Sequence, residues 1–199
     1  ILWFLLHVVL HEGGHLVGGL LSGYGFGYFR IGRFTLAKYA DGFKLKIFSI
    51  PGTGGQCGMI PPAYNNGNFP YKLYLLGGFT VNYITAIITF GVFLLLGAES
   101  IVGRMFVVGA VIALYLAIMN SLPLKADLPN DGYQLKQAGR DERERRMLWE
   151  TLDFQAKSMQ GVRISEIERD WNEKSPEELL AQCDGAKGIT EFIMYYNYV

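Results

Sequence analysis

Residues 11 to 15 read His11-Glu12-Gly13-Gly14-His15, and they stand inside an otherwise apolar stretch from Ile1 to Leu21. On a helix of 3.6 residues per turn, side chains four apart lie about 40° from each other, so both imidazoles can reach one ion. The glutamate between them then points at a water on that ion. These residue types at this spacing imply zinc-dependent hydrolysis. Their apolar surroundings imply that the site lies within a membrane, where histidines and a carboxylate are costly unless something pairs with them. A metal ion is such a partner.

Zinc held by His11 and His15 needs at least one more protein ligand and, for catalysis, one position left to water. Soluble zinc proteases supply the third ligand as a histidine six residues after the second, or as a glutamate on the next helix. Here Leu21 stands where the histidine would be, although Gly18 matches the glycine of that pattern, and no acidic residue occurs between Glu12 and Asp41. The ligand must therefore come from a distant acidic residue. Asp131, in Asn130-Asp131-Gly132, is the candidate. Asp127 competes with it but lacks a following glycine that would let the backbone turn toward the metal. His7, one turn before His11, reads as a bundle-facing histidine rather than a fourth ligand.

Three apolar blocks must position these residues: Ile1 to Leu21, Tyr71 to Ala98 without a charge after Lys72, and Met105 to Leu122. Each approaches the roughly 20 residues that cross a bilayer as a helix. The expected fold is a mainly α, polytopic membrane protein with a core of three transmembrane helices, a short β-hairpin insertion and a cytosolic helical tail. Residues 1–132 form the membrane-embedded core and 133–199 the extension, and the start at Ile1 inside an apolar run reads as that of a fragment or a processed chain. Residues 23 to 70 hold Arg30, Arg33, Lys38, Lys44 and Lys46 against Asp41 alone, which places that loop and the tail in the cytoplasm. The basic residues are scattered and the 18 basic and 18 acidic side chains balance, so nucleic acid is not an expected partner. Cys57 and Cys183 are too few and too far apart for a disulfide framework or a thiolate zinc site.

Within the loop, Tyr28 to Leu36 and Phe43 to Ile50 read as the two strands of a hairpin closed near Asp41-Gly42, spanning 28–50. Such a hairpin offers an edge strand to an extended peptide. Proline placed along its strands should then impair cleavage. Residues 51–70, rich in glycine and proline, read as a linker without regular structure. The tail is charged over 140–146 and carries a partial apolar stripe of Trp149, Leu152, Phe154 and Met159, which suits a cytosolic partner. Ser175-Pro176-Glu177-Glu178 reads as a helix start. Gly14 with Gly18, and Gly19 with Gly23, read as small-residue ridges for close helix packing.

Taken together, His11-Glu12-x-x-His15, Gly78-Phe79-Thr80-Val81-Asn82, Asn120-Ser121-Leu122-Pro123 and Asp131-Gly132 resemble, in order, the motifs of the site-2 protease family of intramembrane metalloproteases. Phe79 replaces a common proline, and the insert between Pro123 and Asp131 is longer than the commonest pattern. The resemblance covers about residues 1 to 135. It implies that His11, His15 and Asp131 hold zinc and that Glu12 is the general base in cutting a membrane-anchored protein or peptide. Asn82 is then either a donor to the tetrahedral oxyanion or a helix-to-helix hydrogen bond, and Asn120 a helix cap. The expected setting is the lipid bilayer of a bacterial cell, crossed several times, with the tail in the cytoplasm. Two rivals remain on sequence alone: a noncatalytic membrane protein with a structural zinc site that binds peptides or partners, and a soluble zinc hydrolase.

Overall fold

A computed structural model describes residues 1–50, 52–124 and 129–162. Asp127, Cys183, the helix start at Ser175 and the rest of the tail lie outside the described residues. The chain runs α1 (Leu2–Leu21), β1 (Gly25–Ile31), β2 (Phe34–Tyr39), β3 (Gly42–Ile47), β4 (Gly55–Ile60), α2 (Tyr71–Leu96), α3 (Ile101–Ser121), α4 (Asp131–Ala138) and α5 (Glu142–Met159).

Helices α1, α2 and α3 have 20, 26 and 21 residues and are long and apolar enough to cross a membrane. At 1.5 Å per residue each reaches or exceeds the ~30 Å of a hydrocarbon core. Much of their surface is exposed and apolar: Ile87 is 73% exposed, Leu95 87% and Val111 62%. A domain surrounded by water rarely carries so much, whereas lipid tails accept it. These features point to membrane association.

The helices meet through glycine. A Cβ on Gly14 would lie 2.2 Å from the Gly77 carbonyl oxygen, and one on Gly77 would lie 2.2 Å from the Gly14 carbonyl oxygen. Gly18 is closed in the same way by the Leu73 carbonyl. Helices α1 and α2 thus touch backbone to backbone along the small-residue ridge. Gly23 does not belong to such a ridge. It has φ +83° with nothing near its Cα, and ends α1: Tyr24 N–H bonds to Gly19 O and Gly23 N–H to Leu20 O. That pair of bonds is a Schellman cap.

Between α1 and α2 the chain forms a four-stranded antiparallel sheet in the order β3-β2-β1-β4, not a single hairpin over 28–50. Gly32, with φ +56°, turns the chain inside the segment read as one strand, so Ile31 pairs with Phe34. The second turn, before Gly42, brings Tyr39 against Gly42, near the expected place. Strand β4 lies within the segment read as an irregular linker. Its residues pair with β1 from Gly25↔Ile60 to Ile31↔Gly55, with a bulge between Phe26 and Tyr28. Its glycines serve close approach: a Cβ on Gly58 would enter the Tyr28 ring.

The start of the tail folds back onto this core. Tyr24, Cys57, Met59, Phe69, Tyr71, Tyr74 and Leu75 share one buried cluster with Ala138, Leu148 and Leu152 of α4 and α5. Leu152 and Phe154 of the expected apolar stripe are buried in the protein itself. Polar bonds hold α5 to the loop before α2: Trp149 Nε1–H donates to Pro62 O at 2.7 Å, and Arg145 donates to Gly67 O and Ala138 O, each at 3.1 Å.

Candidate metal centre

His11 and His15 lie on the buried face of α1, about 9 to 15 Å from its C-terminal end at 1.5 Å per residue. Their Nε2 atoms are 3.2 Å apart. Asp131 Oδ2 stands 3.2 Å from His11 Nε2 and 3.3 Å from His15 Nε2. The three atoms form a nearly equilateral triangle. For a tetrahedral ion with bonds of ~2.0–2.1 Å, ligand atoms lie about 3.3 Å apart, so the triangle has the size of one face of a zinc coordination tetrahedron. Among the described residues these three form the group able to hold a metal ion.

The proton positions also call for a cation. His15 Nδ1 lies 2.8 Å from the Tyr74 carbonyl, which can only accept, so Nδ1 carries the proton. In the neutral ring Nε2 then presents a lone pair to His11 Nε2 and to the Asp131 carboxylate. Lone pairs aimed at one point in a buried site repel unless a positive charge sits between them.

Asp131 reaches this place from 116 residues beyond His15 because of its two neighbours. Asn130 caps α4, its Oδ1 accepting from Tyr133 N–H at 2.9 Å. Its Nδ2 donates to Leu122 O at 2.7 Å and to Met119 O at 2.6 Å, a carbonyl left open where α3 ends because Pro123 has no N–H. Gly132 does not provide a left-handed turn, as the sequence reading supposed. A Cβ there would lie 2.2 Å from the Ser121 carbonyl oxygen, so the glycine lets α4 start directly against the end of α3. Asp131, the first residue of α4, is thereby fixed toward α1.

Gly78 completes the cradle. A Cβ at this position of α2 would sit 2.4 Å from His15 Nε2 and 2.7 Å from His11 Nε2. The glycine keeps clear the space that the two imidazoles face.

Glu12 is 7% exposed and lines the same cavity of about 420 Å3 as His11, His15 and Asp131. Its carboxylate faces the Cys57 backbone N–H of β4. A Cβ on Gly55 would lie 2.9 Å from Glu12 Oε1, so glycine is what lets β4 come this close. The strand edge beside these side chains is therefore β4, not the 28–50 hairpin. Gly54, Gly55, Gln56 and Cys57 form part of the cavity wall, and among the described residues β4 pairs only with β1. Cys57 does not belong to the metal-binding group among the described residues; burial, with the Glu12 carboxylate nearby, pushes its thiol pKa well above the usual range.

Asn82 is fully buried, and its amide lies 3.2 Å from His11 Nδ1. Asn120 borders the cavity but donates its Nδ2 to Leu116 O at 2.9 Å within its own helix. His7 stays outside the cluster. It stacks on Trp3 at 5.7 Å and lies 3.4 Å from Thr85 Oγ1. Three contributions were not read from the sequence: the Tyr74 carbonyl, β4, and the α5 residues Thr151, Leu152 and Gln155 on the cavity wall. A main-chain carbonyl carries no residue signature. The other two depend on segments folding back over the site.

Compared with known proteins, the chain matches no family model, no curated protein and no solved structure.

Proposed function

We propose that this chain is an intramembrane zinc endopeptidase of the site-2 protease type, which hydrolyses a peptide bond of a membrane-anchored protein or peptide near the cytoplasmic side. The observation that carries the reading is the meeting of His11 Nε2, His15 Nε2 and Asp131 Oδ2 in one triangle, with the Glu12 carboxylate on the wall of the same cavity.

His11, His15 and Asp131 would hold the ion. When bound, zinc would lower the pKa of a water to about 7 and polarise the scissile carbonyl. Glu12 would take the proton from the attacking water as its oxygen adds to the carbonyl carbon, and would give it to the leaving amine nitrogen as the C–N bond breaks. An extended substrate segment lies along the cavity wall formed by β4, where a strand edge can meet a peptide backbone. The substrate must unwind to do so, since its helical carbonyls are otherwise engaged.

Glu12→Gln tests this reading. The variant should keep the wild-type zinc content and lose at least about 100-fold in turnover of a transmembrane peptide in detergent or liposomes. If wild type and variant both bind zinc and neither cleaves any of a panel of membrane-anchored peptides, the site is a structural one that binds partners without hydrolysis.

A further inference from the structure

We infer that Asn82 is a positioning residue that accepts a hydrogen bond from His11 Nδ1–H and so fixes the metal-binding tautomer of that ring; the inference rests on the metal site proposed above. It departs from the oxyanion-donor role expected for Asn82 and gives the helix-to-helix hydrogen bond a specific function.

The two histidines are held in parallel ways. His15 offers Nε2 to the site and donates Nδ1–H to the Tyr74 carbonyl. His11 likewise offers Nε2, and its Nδ1 faces the Asn82 amide at 3.2 Å. With Nδ2 placed toward the ring, Nδ1 has to accept, and the His11 proton falls on Nε2, the atom that must ligate. The oxygen and nitrogen of an amide are assigned from the surrounding network. Turning the amide over gives Oδ1 to Nδ1–H and frees the Nε2 lone pair for the ion. Metal-ligating histidines almost always donate their second nitrogen in this manner, and losing that acceptor costs 10–100-fold in metal affinity.

The geometry favours this role over a free donor. Asn82 is 0% exposed, and helix α2 carries it one turn beyond Gly78, against whose Cα both ligand rings lie. An amide so enclosed is placed to set a ring.

The test uses the full chain in detergent, with zinc affinity measured by competition against a chelator and cobalt(II) absorption reporting ligand geometry. Asn82→Leu removes the acceptor and should weaken zinc 10–100-fold while reducing the tetrahedral cobalt bands. Asn82→Asp keeps an acceptor and has no donor; it should bind zinc at least as tightly as wild type. Wild-type affinity in Asn82→Leu would overturn the inference. So would an Asn82→Asp protein that folds and loses zinc as badly as Asn82→Leu, and if the leucine variant does not fold, the aspartate variant decides. A wild-type chain that binds neither zinc nor cobalt would instead overturn the metal site itself.

Discussion

Gly78→Ala asks a single methyl group to disable the centre. Its Cβ would lie 2.4 Å from His15 Nε2 and 2.7 Å from His11 Nε2, where ordinary contact begins at 3.4 Å. The rings would have to retreat by 3.4 − 2.4 = 1.0 Å and 3.4 − 2.7 = 0.7 Å. Neither ring is free to move: His15 is tied to the Tyr74 carbonyl, His11 faces Asn82, and the Gly14–Gly77 contact leaves the helices no slack. Coordination bonds tolerate only about 0.2 Å, and a 1 Å misplacement of a working group costs roughly 100-fold. Zinc affinity should therefore fall at least about 100-fold, equivalent to about 2.8 kcal/mol at 1.4 kcal/mol per tenfold. Gly91→Ala on the same helix has nothing within 4 Å of its new methyl and should leave zinc binding unchanged. Both variants can be titrated with zinc against a chromophoric chelator after purification in detergent. A Gly78→Ala protein that folds and binds zinc within about threefold of wild type would refute the geometry.

Two further outcomes follow from the surroundings of the site. In a Cys183→Ser background, Cys57 should resist iodoacetamide in the native protein well above pH 8.5, the ordinary thiol value, because burial raises its pKa and keeps it a neutral thiol. Mass spectrometry would read this, and rapid native labelling that rises through pH 8.5 would contradict it. Trp149→Phe removes the Nε1–H bond to Pro62 O, which should cost about 1–2 kcal/mol. That corresponds to about 2–4 °C in Tm for each kcal/mol, measured by thermal unfolding in detergent; an unchanged Tm would mean that α5 is not anchored there.

Features with local signals were legible in the sequence. The three long helices follow from uninterrupted apolar runs, and the histidine pair follows from helical spacing alone. Asp131 was reachable because Asn-Asp-Gly after an apolar run is both a helix start and a carboxylate. What its glycine does was not, since the need for it arises from the Ser121 carbonyl on another helix. Strand β4 was hidden for a related reason. Gly54, Gly55 and Gly58 look like loop formers, yet Gly55 makes room for Glu12 and Gly58 for Tyr28. Likewise Gly78 and Asn82 stood out as a motif, but only the packed helices reveal that one clears space for the ligand rings and the other touches His11.

The central claim is that the opening histidine pair and Asp131 share one ion, and metal analysis of separate carboxylate variants tests it most directly. Wild type and Asp127→Asn should both retain stoichiometric zinc through chelator dialysis, whereas Asp131→Asn should lose it while staying folded. Stoichiometric, tightly held zinc in Asp131→Asn, or its loss in Asp127→Asn, would contradict the account.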